Sequence, residues 1–200
     1  MKVAVIGAAG NLGSRIVAEA LRRGHQVTAL TKADVDATDP AAVATLLAGH
    51  DVGVGATRPP AGREHQAAVV THALLAAHAE AGVRFVMVGG SGSLLVPGGA
   101  DLVADDQRWV PPQIHDLARS AVDQLELCRQ DTDTDWTYIT PSALMEPRLR
   151  TGHYRTGTDE LLVDPDGRSY VSMEDMAVAI LDEIEAPAHR RQRFTVASTP

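Results

Sequence analysis

Short apolar runs alternate with longer amphipathic segments along most of this chain. The first run, residues 3–6, ends at a glycine, which is typical of a buried parallel strand. Apolar residues then recur every three or four positions, which predicts a helix over 11–23. The same alternation predicts strands at 26–31, 52–56, 84–88, 136–140 and 193–197, and helices at 40–47, 64–81, 114–129 and 172–185.

Strands separated by helices of this length form βαβ units, so the pattern predicts an α/β fold with a doubly wound parallel sheet. We expect a single domain over 1–200. After residue 141 the alternation gives way to short polar pieces, with a turn signal at 164–167. We therefore expect the segment 142–185 to contribute a small lobe on the substrate side of the sheet.

The motif most typical of a ligand site is Gly7-Ala8-Ala9-Gly10-Asn11-Leu12-Gly13, which follows the first strand and opens the first helix. In that position Gly7 permits a sharp turn and Gly10 lets the backbone approach a pyrophosphate. Gly13 allows the helix to pack closely on the sheet, and the helix N-terminus offers free N–H groups to the phosphates. A glycine-rich turn that binds nothing is the alternative.

The end of the second strand indicates which dinucleotide binds. An acidic residue there favours NAD, whereas a cation favours the 2′-phosphate of NADP. Thr31 and Lys32 occupy this point, so we expect NADP, while Asp34 and Asp36 close by keep NAD open.

Composition excludes several classes of protein. A net charge of -8 argues against binding to nucleic acid or to an anionic membrane. The single cysteine excludes an internal disulfide, and none of the eight histidines has the spacing of a metal site. There is also no apolar run of membrane-spanning length. We expect a cytoplasmic protein without a metal, and a homodimer stays open.

The glycine motif, the Thr-Lys strand end and Val88-Gly89-Gly90-Ser91 resemble the atypical short-chain dehydrogenase/reductase superfamily. The C-terminal half is more specific, because the blocks at 135–143, 145–147, 150–152, 172–175 and 194–197 match one branch in order. That NAD(P)H-binding branch contains the NADH-flavin reductases and is related to NmrA-like and biliverdin reductase B-like proteins. The resemblance covers nearly the whole chain and implies an NAD(P)-binding Rossmann fold.

The resemblance also implies the cofactor contacts. Residues 7–13 would hold the pyrophosphate, and Lys32 would hold the 2′-phosphate. Ala56 and Thr57 would line the adenosine side. Gly89, Gly90 and Ser91 would lie beside the nicotinamide ribose, and the nicotinamide itself would lie beside Pro141, Ser142 and Ala143.

The chain departs from the superfamily in two ways. Asp34 follows Lys32 too closely for a strand and its crossover, so the third strand is missing or reduced to a stub. The catalytic Tyr-x-x-x-Lys pair is also absent. Near its place stand His115 and Arg119, which share a helical face, and Ser91 resembles the superfamily's catalytic serine. The alternative is an ordinary surface helix and a loop-capping hydroxyl.

The resulting hypothesis is an NAD(P)H-dependent oxidoreductase that passes a hydride to a planar small-molecule acceptor, such as FMN, another flavin or a quinone. Arg148, Arg150 and Tyr154 in the lobe could meet a flavin phosphate or solvent. Two alternatives remain, a non-catalytic NmrA-like dinucleotide sensor and a carbonyl reductase or epimerase.

Overall fold

The computed structural model describes residues 1–199, which form nine strands and five α-helices. The strands are β1 (Lys2–Ile6), β2 (Gln26–Leu30), β3 (Val52–Gly55), β4 (Arg84–Val88), β5 (Trp136–Pro141), β6 (Leu144–Glu146), β7 (Tyr154–Gly157), β8 (Tyr170–Ser172) and β9 (Gln192–Ser198). The helices are α1 (Asn11–Arg22), α2 (Pro40–Leu47), α3 (Gln66–Ala81), α4 (His115–Gln130) and α5 (Met173–Glu185). The predicted elements are all present, with ends shifted by at most two residues.

Seven strands form the main sheet in the order β2-β1-β3-β4-β5-β9-β7. All neighbours pair in parallel except β7, which runs antiparallel to β9 at one edge. β2 forms the opposite edge, because the chain passes from β2 through α2 to β3 on the other side of β1. The expected doubly wound sheet is therefore confirmed in a shortened form. Turns at residues 31–39 replace the strand that would lie beyond β2.

Helices cover both faces of the sheet. Val3 and Val5 of β1 pack on the side of α1 and α5, whereas Ala4 and Ile6 pack on the side of α2, α3 and α4. Burial on both faces explains why the strands are continuous apolar runs. Each fully buried valine or isoleucine side chain contributes about 2 kcal/mol relative to exposure.

The region between β5 and α5 differs from the expected lobe. β6 and β8 form a separate two-stranded sheet there, and both are too short for the apolar pattern to predict. α5, however, packs against α1 and the main sheet, where it buries Met176 and Ile180. Its apolar residues recur at helical spacing and need a broad apolar surface to cover them. The lobe is thus smaller than residues 142–185.

Residues 147–153 form a strap that lies across α1 and α5 through polar contacts. Arg150 donates two hydrogen bonds to Glu19 of α1, at 2.9 Å and 3.1 Å. The backbone nitrogen of Thr151 donates to Asp175 of α5 at 2.8 Å. Both carboxylates are almost fully buried, so the loss of Arg150 or Thr151 would leave a buried carboxylate with fewer partners. The strap is therefore fixed to the body of the domain.

His78 of α3 is a buried, uncharged group against the sheet. Its Nδ1 donates to the Leu74 carbonyl oxygen at 2.6 Å, and its ring stacks on Phe85 with 4.2 Å between centroids. Its Nε2 has no hydrogen-bond partner within residues 1–199. A Cβ on Gly53 would lie 2.1 Å from Nε2, so that glycine makes room for the ring. Burial lowers the pKa of His78 to about 4.

This histidine should make the fold sensitive to acid. Between an unfolded pKa of about 6.5 and the folded value the unfolded chain binds more protons, so the free energy of unfolding falls as pH falls. We expect His78 to account for about 2 kcal/mol of the loss between pH 7 and pH 5. In denaturant titrations, His78→Leu should show a flatter pH dependence by that amount. His72→Leu, on the solvent side of the same helix, is the control and should follow the wild type. Equal slopes for all three proteins would contradict the assignment.

Candidate dinucleotide site

Two of the three motif glycines are required by the fold. Gly7 has φ +94°, and a Cβ there would lie 2.5 Å from the Ala56 carbonyl oxygen and 3.3 Å from the Thr57 nitrogen. A Cβ on Gly13 would lie 2.1 Å from the Gly7 carbonyl oxygen. The first turn of α1 thus packs directly on the turn after β1, which packs on the end of β3. Gly10 is exposed, and its nearest obstacle is the Gly7 oxygen at 3.2 Å.

The start of α1 fits an anion. Gly10 is the N-cap and offers no side-chain acceptor, and the first turn has no acidic residue. The Gly10 nitrogen donates to the Gly7 oxygen, and the Ser14 nitrogen donates to the Gly10 oxygen. Residues 11–13 lie between these two donors, and their N–H groups lack intrahelical acceptors, as at any helix start. Together with the positive end of the helix dipole they suit the pyrophosphate of a dinucleotide.

The end of β2 leaves a lysine available. The Asp34 carboxylate accepts hydrogen bonds from the Thr31 nitrogen and hydroxyl at 2.8 Å and 2.7 Å. Asp36 is held in the same way by Thr38. These hydrogen bonds lower the pKa of both carboxyl groups. Lys32 is exposed, and no carboxylate of residues 1–199 pairs with it. The Asp34 and Asp36 carboxylates therefore stabilise the turn, while the Lys32 side chain is exposed to solvent.

Tyr138 of β5 supports the turn after β4. Its ring is fully buried beneath Gly89, where a Cβ would lie 2.1 Å from the ring. The Ser93 hydroxyl donates to the Gly90 carbonyl oxygen at 3.0 Å and so stabilises the turn. Ser91 is half-buried at the start of the same 3-10 turn, and its hydroxyl makes no hydrogen bond within the part of the chain described. The capping hydroxyl is therefore that of Ser93, and the Ser91 hydroxyl stays available.

Pro141, Ser142 and Ala143 leave the end of β5 beside this turn. The Ser142 hydroxyl donates to the Val196 carbonyl oxygen at 2.9 Å and is buried. The Ala143 nitrogen donates to the Ser169 hydroxyl at 3.1 Å. Any contact of this segment with a nicotinamide would thus be made by Pro141, by Ala143 or by backbone atoms.

His115 and Arg119 share one face at the start of α4. Both contact Asp105, with 3.5 Å from His115 Nε2 to Oδ1 and 3.1 Å from Arg119 Nη1 to Oδ2. Their side chains are 46% and 43% exposed. The cluster is therefore a solvated ion-pair group, and a catalytic role for either residue stays a prediction.

Carboxylates of the domain already bind the side chains that the sequence offers for a flavin phosphate. Arg148, Arg150 and Tyr154, the residues with the right chemistry for a flavin phosphate, each meet a carboxylate of the domain. Arg148 pairs with Glu146, Arg150 pairs with Glu19, and the Tyr154 hydroxyl donates to Asp182.

Sequence patterns do not identify Asp105 or the supporting role of Tyr138. Asp105 lies ten residues before His115 in an irregular loop, so no helical or strand spacing relates the two. Tyr138 does have a signal, since it lies in the middle of an apolar run that predicts a buried strand, and all of β5 is buried. Within residues 1–199 no three His, Cys, Asp or Glu side chains converge as a metal site. Over the same residues, no helix has both the length and the apolar character needed to cross a membrane.

A family model described as NAD(P)H-binding matches residues 7–187, which include every segment of the candidate site. The chain belongs to this NAD(P)H-binding family. The uncharacterized protein YwnB of Bacillus subtilis (strain 168) is 34% identical to it, over 99% of both chains. These findings support a nicotinamide dinucleotide as cofactor and an oxidoreductase-like family.

Solved structures confirm the Rossmann-type fold. A "putative exported protein" of Burkholderia pseudomallei is 40% identical, with a TM-score of 0.89 over 98% of this chain and 99% of that one. A "putative epimerase" of Bacteroides thetaiotaomicron is 33% identical, with a TM-score of 0.91 over 100% and 97%. A "putative NADH-flavin reductase" of Streptococcus pneumoniae is 26% identical, with a TM-score of 0.89 over all of both chains. The NAD(P)H-binding branch of the atypical short-chain dehydrogenase/reductase superfamily is thereby supported, whereas the cytoplasmic location stays a prediction.

The glycines allow a matched test of the site. Gly13→Ala should destabilise the fold by about 1–3 kcal/mol, because its Cβ collides with backbone atoms. Gly10→Ala should cost less than about 1 kcal/mol, since its Cβ needs a shift of only a few tenths of an ångström. It should nevertheless weaken dinucleotide binding tenfold or more, because the backbone can no longer approach the pyrophosphate. Thermal unfolding and dinucleotide titration measure the two effects. Unchanged affinity in a folded Gly10→Ala protein would argue against a pyrophosphate at this turn.

Proposed function

We propose that the protein is an NAD(P)H-dependent oxidoreductase that reduces a planar acceptor such as a flavin or a quinone. The observation that carries this proposal is the open N-terminus of α1 beside a glycine turn, together with the segments after β4 and β5. All of them leave the carboxyl ends of parallel strands, where open α/β sheets bind ligands.

The reaction needs little acid–base chemistry from the protein. The bound dinucleotide supplies a hydride, and one proton from water completes the two-electron reduction of the acceptor. The chain has to bind the cofactor, orient the acceptor over it and exclude water. The turn at Gly89–Ser91 and the segment 141–143 lie at neighbouring strand ends and are suited to this orienting role.

The positions of the tyrosines and lysines argue against carbonyl reduction or epimerisation by the superfamily's usual pair. Tyr138 is fully buried, and its hydroxyl donates to the Ala121 carbonyl oxygen at 2.9 Å. Burial raises its pKa far above the ordinary range. Of the two lysines, Lys2 begins β1 and Lys32 follows β2, so neither is placed beside a tyrosine of β5. The name of the Bacteroides relative keeps the epimerase hypothesis in view, without a residue pair to support it.

A non-catalytic dinucleotide sensor is the second candidate. The observation that favours it is the exposed cluster of Asp105, His115 and Arg119, in which no side chain is withdrawn from solvent for catalysis. This candidate requires the same cofactor site but predicts no turnover.

An oxidation assay separates these functions. We expect NADPH to be oxidised in the presence of riboflavin, FMN or a naphthoquinone, and NADPH to raise the melting temperature, because it binds the folded state. Binding without turnover with any acceptor would favour the sensor. Absence of both would overturn the proposal.

Lys32 should determine the preference for NADPH. Lys32→Ala should raise the KM for NADPH at least tenfold and leave the KM for NADH within about twofold, because only NADPH carries the 2′-phosphate. Lys2→Ala is the matched control, since this second lysine lies at the amino end of β1. Steady-state kinetics with both cofactors measure the effect. Equal changes in both KM values would show that Lys32 does not read the 2′-phosphate.

A further inference from the structure

A pocket of about 440 Å³ lies between the loop that follows the Ser91–Ser93 turn and the lobe. Its walls are mostly apolar, and its size falls in the range of small-molecule sites. The lining residues are Val96, Pro97, Arg108, Trp109, Val163 and Gly167.

The pocket is connected through packed side chains to Ala143, in a segment that the proposed function places beside the nicotinamide. Val96 follows Ser91 by five residues. The apolar cluster around Leu94 and Leu161 packs against Val96, Trp109 and Val163, which also line the pocket. The same cluster also packs against Ala143, at the end of β5. A ligand in the pocket would therefore lie on the acceptor side of the site.

The charges at this pocket are already neutralised. Among residues 1–199, Arg108 is the one charged residue that lines it, and its Nε lies 3.0 Å and 2.9 Å from the two oxygens of Asp106. The Arg108 backbone nitrogen donates to the same carboxylate at 2.9 Å. Next to Gly167, Arg168 pairs with both Asp164 and Asp166. A phosphate bound by Arg108 would have to displace the Asp106 carboxylate. That carboxylate would remain nearby and would repel the phosphate.

The remaining arginines of the strap give no alternative phosphate ligand. Arg148 and Arg150 are held by Glu146 and Glu19, and Glu19 is buried. Removing Arg150 from this carboxylate would leave a buried charge with fewer partners, which is unfavourable. On the cofactor side, in contrast, Lys32 is exposed and unpaired within the described part of the chain. The cations at this pocket and on the strap are thus already paired with carboxylates, which favours a ligand without charge at the pocket.

We propose that this pocket binds an uncharged planar ring system, so that the acceptor is a quinone or a flavin without phosphate rather than FMN. The inference rests on the proposed function and narrows its substrate class. Trp109 offers the large aromatic surface on the pocket wall, and the aliphatic side chains of Val96 and Val163 complete an environment that favours apolar rings.

Two pairs of acceptors that differ by one anionic group test the proposal. They are riboflavin against FMN, and a naphthoquinone against its sulfonate. We expect kcat/KM for the uncharged member of each pair to be at least tenfold higher at saturating NADPH. Quenching of flavin fluorescence measures affinity without turnover and should show the same order. FMN or the sulfonate equal to or better than its partner would overturn the inference, as would failure of every uncharged ring to bind.

Substitutions at the pocket test whether the preference for uncharged over anionic acceptors arises there. Trp109→Ala should raise the KM or Kd for riboflavin at least fivefold without changing the affinity for NADPH. Asp106→Asn should release Arg108 and raise kcat/KM or affinity for FMN relative to riboflavin at least threefold. Leu149→Ala, on the 83% exposed tip of the strap, is the control. It should change neither the KM or Kd for riboflavin nor the preference between FMN and riboflavin. An unchanged FMN-to-riboflavin ratio in a folded Asp106→Asn protein would contradict the charge argument.

These outcomes are distinct from failure of the proposed function. If FMN is reduced as well as riboflavin, the protein is still a reductase and only the inference is wrong. If NADPH binds, and riboflavin binds the pocket more tightly than FMN without turnover, the preference of the pocket for uncharged rings is confirmed and the reductase proposal fails.

Discussion

The site depends on a steric constraint, the absence of space for two Cβ atoms where α1 starts. Gly7 and Gly13 bring the helix onto the turn and the turn onto the end of β3, at distances that no side chain allows. This contact fixes the direction of α1, and with it the N–H groups that face outward. The candidate pyrophosphate site is therefore a consequence of backbone packing, and few side chains are needed to build it. Gly10 contributes differently, because its missing side chain leaves space outside the fold.

The second half of the site is built on Tyr138. Its ring fills the space below Gly89, so the turn after β4 rests on a buried, hydrogen-bonded support. A tyrosine in this protein is thus a structural element of the site, whereas the superfamily pattern uses one as an acid. Two serine hydroxyls near these strand ends also have structural roles. The Ser142 hydroxyl donates to β9, and the Ser93 hydroxyl caps the turn after β4. What faces solvent at these strand ends is mainly backbone and small side chains.

Much of the fold could be predicted from the sequence, because strands buried on both faces and amphipathic helices have distinct periods. The shortened edge was also visible, since Asp34 follows Lys32 too closely for another strand. The place of α5 was not, because an apolar helical stripe does not reveal which surface covers it. Within the site, the glycine turn follows from local spacing, but Asp105 and Trp109 come from an irregular loop. Their neighbours lie far away in sequence, as with Trp109 and Val163, and only the folded chain brings them together.

The edge position of β2 has a consequence for how this fold can change. Residues 31–39 belong to a surface turn held by its own aspartates, and no further strand covers them. Lys32, which we propose as the ligand of the 2′-phosphate, is therefore carried on a surface loop, whereas the glycine turn is packed into the core. In the proposed function, cofactor preference and pyrophosphate binding would therefore be encoded in separate parts of the chain. Loop exchange between relatives could alter the first while the second is inherited intact.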